Sequence, residues 1–196
     1  MATRRQATQQ KRKTNQKGNI VEFGRSEIRQ EHKPKPPFPK QHQGKPGIEA
    51  ELEPRPHYQA RHYLGADKLK GKVALITGGD SGIGRAVAVL YAREGADLAI
   101  VHLAEEQRDA EETRDLVAAE GARCLLIPGD VTDSEFCRNA VVQTVHELGQ
   151  LNVLVNNAAF QQHQESIEDL SDQQFEKTFR TNIFGYFSWR KPHCAT

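Results

Sequence analysis

Long apolar runs are absent from this 196-residue sequence. No stretch approaches the roughly 18 apolar residues that a membrane-spanning helix needs, which argues against a transmembrane protein. The basic first residues are followed by Gln, Thr and Lys and not by an apolar stretch, so the pattern of a secretory signal peptide is missing as well. We therefore expect a cytoplasmic protein with no membrane partner.

Cysteine is also scarce. The three cysteines, Cys124, Cys137 and Cys194, form neither a CxxC pair nor an even-numbered framework. This pattern indicates reduced thiols in a reducing compartment, and it predicts no metal site.

Net charge is nearly absent, because 27 basic and 26 acidic residues give a formal charge of +1. The average hides an uneven distribution. Residues 1–66 carry 14 Lys or Arg against 6 Glu, whereas residues 67–196 carry 13 Lys or Arg against 20 Asp or Glu. The sequence therefore predicts a basic arm attached to an acidic body.

The arm, residues 1–66, contains few large aliphatic residues and is rich in Gln, Lys and Pro. Such a segment cannot bury enough apolar surface to offset its chain entropy, so we predict that it is disordered or loosely draped. One interpretation is a nucleic-acid or targeting arm, because its first basic residues have no acidic neighbour. A solvated tail is favoured, because no aromatic residue stands among those basic residues to stack on bases.

Apolar runs and helical patterns alternate from Lys72 onward. The predicted elements are, in order, a strand at 73–76, a helix at 83–94, a strand at 98–102, a helix at 105–120, a strand at 123–127, a helix at 133–148, a strand at 152–155 and a helix from near 171. This alternation predicts an α/β fold with a parallel sheet built from right-handed βαβ units. We expect the body to span 67–188 and an atypical tail to span 189–196.

A glycine-rich loop follows the first predicted strand. Gly78 would allow the tight turn off the strand, Gly82 would let a pyrophosphate approach the backbone, and Gly84 would let the helix pack close to the sheet. The N–H groups and the positive dipole end of the following helix would face the phosphates. The loop therefore predicts a nucleotide site.

Three motifs resemble the short-chain dehydrogenase/reductase superfamily: Thr77-Gly78-x-x-x-Gly82-Ile83-Gly84, Asp130-Val131 and Asn156-Asn157-Ala158-Ala159. The segment 39–47 further resembles bacterial general-stress-type members with an N-terminal extension. The resemblance covers roughly 37–187. It implies a Rossmann-like doubly wound parallel sheet, of which this chain holds the first four strands in the order 3-2-1-4.

The resemblance also implies a nicotinamide-cofactor site. Its residues are Thr77, Gly78, Asp80, Ser81, Gly82, Ile83, Gly84, His102, Asp130, Val131, Asn157, Ala158 and Ala159. The glycine loop would hold the pyrophosphate, Asp130 and Val131 would contact the adenine ring, and Asn157 to Ala159 would lie beside the ribose. Ala159 stands where the family more often has glycine. An alternative role for Asp130 is that of a helix cap or turn residue.

The choice between NAD and NADP is read at the end of the second strand, where a carboxylate would bond the ribose 2′-hydroxyl and favour NAD. His102 stands at that place, and no arginine beside it would bind a 2′-phosphate. The residues leave both cofactors open, with a slight preference for NADP.

The catalytic half of the family's site is largely missing. Asn182 matches the family's catalytic asparagine, although it could instead be a satisfied polar group at a helix kink. The family's proton donor is a tyrosine followed four residues later by a lysine, because an unperturbed phenol near pKa 10 is a poor acid–base group. No Tyr-x-x-x-Lys occurs, and the chain stops before the expected positions of this pair and of its serine partner. We therefore expect a C-terminally truncated, frame-shifted or alternatively spliced product.

Three functions remain open. The first is an NAD(P)-dependent oxidoreductase acting on a small alcohol or carbonyl substrate, of which this chain is an incomplete copy. The second is a non-catalytic NAD(P)-binding protein with a sensing or interaction role, and the third is an interaction protein working through its basic arm. A nucleic-acid partner is disfavoured, as above. The family forms homo-oligomers, a state that a truncated chain would not necessarily reach.

Overall fold

A computed structural model describes residues 35–189, and the chain divides into two units, Met1–Pro37 and Phe38–Thr196. All features described below lie in the second unit, between residues 38 and 189. Its strands are β1 (Val73–Thr77), β2 (Asp97–His102), β3 (Cys124–Pro128) and β4 (Val153–Val155), and its helices are α1 (Gly82–Arg93), α2 (Gln107–Ala119), α3 (Ser134–Leu148), α4 (Asp172–Phe179) and α5 (Gly185–Ser188). Short 3-10 turns occur at Glu49–Glu51, Ala104–Glu106 and Ile167–Asp169, and a π-helical turn at Arg180–Phe184 joins α4 to α5.

The four strands form one parallel sheet in the order β3-β2-β1-β4, which confirms the order predicted from the sequence. Every residue of β1 is buried, as is every residue of β2 after Asp97. Central strands of a parallel sheet are covered on both faces, which explains why their sequences are continuously apolar and not alternating.

Alternate residues of the central strands contribute to two apolar layers. Val73 and Leu75 of β1 face one layer with the inward side of α3, whereas Ala74 and Ile76 face the other layer with α1 and α2. Successive side chains of a strand point to opposite faces, so one strand serves both layers. The result is a sheet between two helical layers, with the carboxyl ends of its strands at one edge.

Helix boundaries follow local capping. Asp133 caps α3, because its carboxylate accepts hydrogen bonds from the N–H groups of Glu135 and Phe136 at 2.8 and 3.2 Å, and Gly149 ends the helix at φ +91°. The predicted helix at 105–120 differs slightly, since its start is a 3-10 turn that precedes α2. None of the helices among residues 35–189 is long and apolar enough to cross a membrane.

Residues 38–66 correct the expectation of a disordered or loosely draped arm. They hold little regular structure, yet Glu49 is buried and forms an ion pair with Arg85, and the hydroxyl of Tyr58 donates to Glu112 at 3.2 Å. The physical reason is that polar contacts, and not apolar burial, fix this segment, and composition does not reveal them. Residues 1–34, with the basic cluster on which the nucleic-acid interpretation depended, lie outside the described part of the chain.

Trp189 corrects the predicted boundary of the tail. It is only 4% exposed and joins the apolar layer beside α3, where its ring meets that of Phe136 edge to face at 6.4 Å. A large aromatic ring gains much from such burial, so the body continues through residue 189. Residues 190–196 of the predicted tail are outside the described range.

Candidate functional site

The glycine loop lies where the strand order reverses. β1 pairs with β2 on one side and with β4 on the other, and the loop leaves the carboxyl end of β1 at this point. In open parallel sheets, ligands bind in the crevice at such a switch point. The fold therefore places the predicted nucleotide loop at the edge where open parallel sheets bind their ligands, which we call the crevice.

Gly78 and Gly84 make a contact that leaves no space for a side chain. A Cβ on Gly84 would lie 1.9 Å from the carbonyl oxygen of Gly78 and 2.8 Å from Nδ2 of Asn157. Gly78 has φ +61°, which favours glycine, and its N–H donates to the carbonyl of Val101 at 2.8 Å. These contacts draw the first turn of α1 against the end of β1, as the sequence pattern predicted.

Gly82 opens α1 and faces open space. Its φ is +52°, and nothing lies within 4 Å of the position that a Cβ would take. Ser81 precedes it as an N-cap with extended backbone and no side-chain capping bond, and the next side chain, that of Ile83, is 76% exposed. The first N–H groups of a helix lack intrahelical acceptors and carry positive dipole charge. The N–H of Gly82 already donates to the carboxylate of Glu49, so an anion would bind the N–H groups that follow it.

Thr77 and Asn157 tie the two sides of the crevice together. Oγ1 of Thr77 accepts hydrogen bonds from the N–H groups of Asn157 and Ala158, both at 3.0 Å. Nδ2 of Asn157 donates to the carbonyls of Thr77 and Gly78 at 3.0 and 2.8 Å. Two residues of the predicted site thus shape the crevice by holding the ends of β1 and β4 together, with Ala158 half-buried between them and Ala159 exposed.

His102 ends β2 in a buried, polar environment. It is 2% exposed, its Nδ1 lies 2.8 Å from the carbonyl of Leu103, and its Nε2 has no hydrogen-bond partner among the described residues. Burial raises the pKa of the Asp80 carboxyl. Burial, with the nearby charge of Asp80 as the next cause, raises the pKa of Glu106 from 4.5 to about 7. This corner is therefore less negative at neutral pH than its two carboxyl groups suggest.

Asp130 and Val131 follow β3 as predicted. Oδ1 of Asp130 accepts the N–H of Thr132 at 2.8 Å, and its carbonyl accepts the N–H of Asp133 at 3.1 Å. The side chain therefore supports a turn, which is the alternative role that the sequence allowed, while Val131 is 7% exposed. Contact with an adenine ring stays a prediction for both residues.

Asn182 lies in the π-helical turn Arg180–Phe184 and bonds to the chain after β4. Its Oδ1 accepts the N–H of Phe160 at 2.7 Å, and its Nδ2 donates to the carbonyl of Phe160 at 2.9 Å. The ammonium groups of Lys45 and Lys177 lie over the Phe160 ring, at 4.9 and 4.4 Å from its centroid. Asn182 thus fixes the segment after the Asn-Asn-Ala-Ala motif, and a catalytic role for it stays a prediction.

Sequence reasoning missed a buried ionic cluster behind the loop. Arg85 is fully buried, and it contacts Glu49, Asp109 and Thr113. A signal was present, because Arg85 shares the inward face of α1 with Ala88 and Ala92, three and seven residues on. An arginine on a buried helix face requires an acidic partner, which could have prompted a search for one.

Cys124 and Cys137, the two cysteines in the described part of the chain, are free thiols, whereas Cys194 lies outside it. Burial raises the pKa of both Cys124 and Cys137 to about 12, so both stay protonated at neutral pH. Within residues 35–189, no group of three or more His, Cys, Asp or Glu side chains is arranged to hold a metal ion.

The geometry defines a class of protein first. A parallel sheet in the order 3-2-1-4 with a glycine loop at its switch point is the frame of a Rossmann-like dinucleotide-binding domain. The sequence profile described as short chain dehydrogenase matches residues 72–192, more than half of the chain. The chain therefore belongs to the short-chain dehydrogenase family, as its motifs indicated.

Curated relatives agree with this membership. General stress protein 39 of Bacillus subtilis (strain 168) is 60% identical over 142 residues, which cover 72% of this chain and 49% of that protein. The chloroplastic NADPH-dependent aldehyde reductase 1 of Arabidopsis thaliana is 42% identical over 153 residues, covering 76% of this chain and 53% of that protein. The chain spans about half the length of these relatives.

Solved structures show the same fold. A short chain dehydrogenase from Burkholderia cenocepacia J2315 in complex with NADP superposes with a TM-score of 0.60 at 34% identity, covering 63% of this chain and 49% of that one. Carveol dehydrogenase from Mycobacterium avium in complex with NAD gives a TM-score of 0.59 at 31% identity, covering 63% and 48%.

Proposed function

We propose that this chain binds a nicotinamide dinucleotide in the crevice beside the glycine loop. We further propose that the protein's chemistry is hydride transfer between the nicotinamide and the carbon of a small alcohol or carbonyl substrate. The observation that carries the binding proposal is the contact of Gly84 with the Gly78 carbonyl at the switch point of the sheet. Only a loop drawn this tightly against the strand brings helix N–H groups to the crevice.

The residues present fit such a cofactor. The open space beside Gly82 is a cradle that a Cβ would occupy, and the N–H groups at the start of α1 would hold the pyrophosphate. Two buried polar atoms, Nε2 of His102 and Oδ1 of Asn156, have no protein partner in the described range. Buried polar groups normally have a partner, and an ordered water molecule is the expected one here, because atoms that solvent does not reach do not line an open crevice.

NADP is proposed as the slightly preferred cofactor. His102 stands where a carboxylate would select a 2′-hydroxyl, and it lacks that carboxylate. The raised pKa of Glu106 supports the same preference, because a half-protonated carboxyl repels a 2′-phosphate less than an ionised one. The Arabidopsis relative is named NADPH-dependent, the Burkholderia structure holds NADP and the Mycobacterium avium structure holds NAD, so the binding test uses both nucleotides.

The proposed catalytic step moves a hydride and a proton. When bound, the nicotinamide would supply or accept the hydride. We propose Asn182 as a member of the catalytic set. Its side-chain amide bonds the backbone N–H and carbonyl of Phe160 and so fixes the chain after β4. The proton that must move with the hydride needs an acid–base group, and Tyr-x-x-x-Lys does not occur in this sequence. A second candidate is a non-catalytic NAD(P)-binding protein, for which the crevice held together by Thr77 and Asn157 would be sufficient.

Association with a second copy is part of the proposal. Large apolar side chains are exposed on α4 and the π-helical turn, among them Phe175 and Phe179, whose rings lie 4.6 Å apart, and Ile183. Clustered exposed apolar groups mark interaction surfaces. Sedimentation of the purified chain measures whether it associates.

Titration of the 196-residue chain with NADPH and with NADH tests binding, by ligand fluorescence and by thermal shift. We expect saturable binding of both, tighter for NADPH. No change in either signal at millimolar ligand would contradict the proposal. NADPH absorbance is then monitored for alcohols with NADP⁺ and for aldehydes with NADPH. Turnover supports the oxidoreductase, and binding without turnover supports the non-catalytic protein.

A further inference from the structure

The partner of buried Arg85 comes from outside the βαβ units. Nη1 of Arg85 donates to Oε1 of Glu49 at 2.5 Å, and the two side chains are 0% and 4% exposed. Glu49 belongs to the 3-10 turn Glu49–Glu51, more than twenty residues before β1. The segment that the sequence assigned to a loose arm therefore completes a charge pair inside the body.

The carboxylate of Glu49 also bonds to the glycine loop. Oε2 of Glu49 accepts the N–H of Gly82 at 2.5 Å. The carbonyl of Asp80, two residues earlier, accepts Nε of Arg85 at 2.9 Å and Oγ1 of Thr113 at 2.8 Å. Hydrogen bonds therefore fix both ends of the stretch from Asp80 to Gly82. The space on the Cβ side of Gly82 stays open.

The segment that carries Glu49 is itself fixed by hydrogen bonds. The carboxylate of Asp109 accepts the N–H of Glu49 at 2.6 Å and that of Ala50 at 3.3 Å. The side-chain amide of Gln43 accepts the N–H of Ile48 at 2.8 Å and donates to its carbonyl at 3.1 Å. Residues 43–51 therefore have one defined shape, and we call them the clasp.

We propose that the clasp holds the glycine loop in the shape that binds the dinucleotide, with Glu49 as the positioning residue. This inference rests on the proposed function of the loop. Glycine loses more conformational freedom on ordering than any other residue, so a glycine-rich loop is costly to order when a ligand arrives. A loop that the clasp has already ordered avoids this cost and binds more tightly.

Glu49→Gln is the variant that separates the clasp from general folding. The amide keeps the size of the carboxylate, but its NH₂ group faces either Arg85 or the N–H of Gly82, so one of the two bonds is lost. Glu51→Gln is the matched control, because Glu51 lies in the same turn and is exposed. Asp109→Asn is a second variant, which weakens the hold on the clasp without altering the loop sequence.

Two measurements on the full chain decide the matter: the NADPH dissociation constant and the hydrogen exchange of the Gly82 amide without ligand. For Glu49→Gln we expect about tenfold weaker NADPH binding and about tenfold faster Gly82 exchange, the size of one lost charge-assisted hydrogen bond. Exchange in the β1 core should stay slow. Glu51→Gln should match the wild type in both measurements.

A variant that lowers only the melting temperature would overturn the inference, since Glu49 would then be a folding anchor. Tighter NADPH binding by Glu49→Gln would also overturn it, because the carboxylate would then oppose the pyrophosphate. If the wild type binds neither NADPH nor NADH, the proposed function fails, and equal Gly82 exchange in both Gln variants would separately refute the clasp. If Glu49→Gln does not fold, Asp109→Asn decides by the same two measurements.

Discussion

Gly84→Ala tests whether the contact between α1 and β1 shapes the cofactor loop. The added Cβ would lie 1.9 Å from the Gly78 carbonyl oxygen, although real Cβ contacts are essentially never shorter than 3.0 Å. In a close-packed interior the carbonyl or the helix must therefore move by roughly 1 Å. The movement also strains the hydrogen bond from Nδ2 of Asn157 to that carbonyl, which is 2.8 Å long.

The expected size of the effect follows from two opposed contributions. Overpacking costs about 1–3 kcal/mol, and the better helix propensity of alanine returns at most about 1 kcal/mol. For a chain of this size, a loss of 1 kcal/mol lowers the melting temperature by about 2–4 °C. The displaced loop should also lose a bond to the pyrophosphate, so we expect NADPH binding to weaken about tenfold or more.

Differential scanning calorimetry and fluorescence titration measure the two effects. Gly121→Ala is the control, because its φ of +86° strains an alanine while nothing lies within 4 Å of the added Cβ, and the residue precedes the amino end of β3, opposite the loop. We expect the control to lower the melting temperature and keep the wild-type NADPH affinity. Wild-type affinity in Gly84→Ala would refute the argument that this contact shapes the loop.

Three further variants test the electrostatics and the core. Hydrogen bonds, first from Tyr63, lower the pKa of Glu94 from 4.5 to about 2. The stabilisation is therefore complete above about pH 4.5 and lost toward pH 2, so Glu94→Gln should melt below the wild type at pH 7 but together with it near pH 2. The raised pKa of Glu106 gives the opposite pH dependence, because the ionised carboxyl destabilises the folded state above about pH 4.5. Glu106→Gln should therefore melt above the wild type at pH 8 and close to it near pH 4.5. A difference independent of pH would contradict this. Trp189→Ala should cost about 3–5 kcal/mol in urea unfolding, whereas a change below about 1 kcal/mol would contradict burial of the ring against Phe136.

The fold could be predicted from the sequence because local signals agreed with one another. The short, continuous apolar runs of β1 and β2 indicate strands of a parallel sheet that are buried on both faces. The glycines between β1 and α1 indicate a tight loop between a strand and a helix. Asp133 and Gly149 mark the ends of α3 through capping chemistry that is local in sequence. The agreement of these signals is why the parallel α/β fold was predicted correctly, whereas the strand order came from the resemblance of the motifs to the short-chain dehydrogenase/reductase superfamily.

The clasp could not be predicted, because its contacts join residues far apart in sequence. Glu49 and Arg85 are 36 positions apart, and Glu49 and Asp109 are 60 positions apart. A basic, proline-rich composition predicts disorder by averaging over residues, whereas one buried carboxylate can fix a segment. Trp189 was missed for a related reason, since only the packing of α3 shows that the ring has a place in the core.

The way β4 is held bears on the proposed cofactor site. β4 pairs with β1 over only three residues and is an edge strand within the described part of the chain. The hydroxyl of Thr77 and the amide of Asn157 add hydrogen bonds of 2.8 to 3.0 Å beyond that ladder, so the end of β4 is joined to β1 by side chains as well as by backbone. Proton transfer, in contrast, needs an acid–base pair whose sequence signature does not occur. We therefore expect that binding can persist where turnover is absent, and the NADPH titration should come before any search for a substrate.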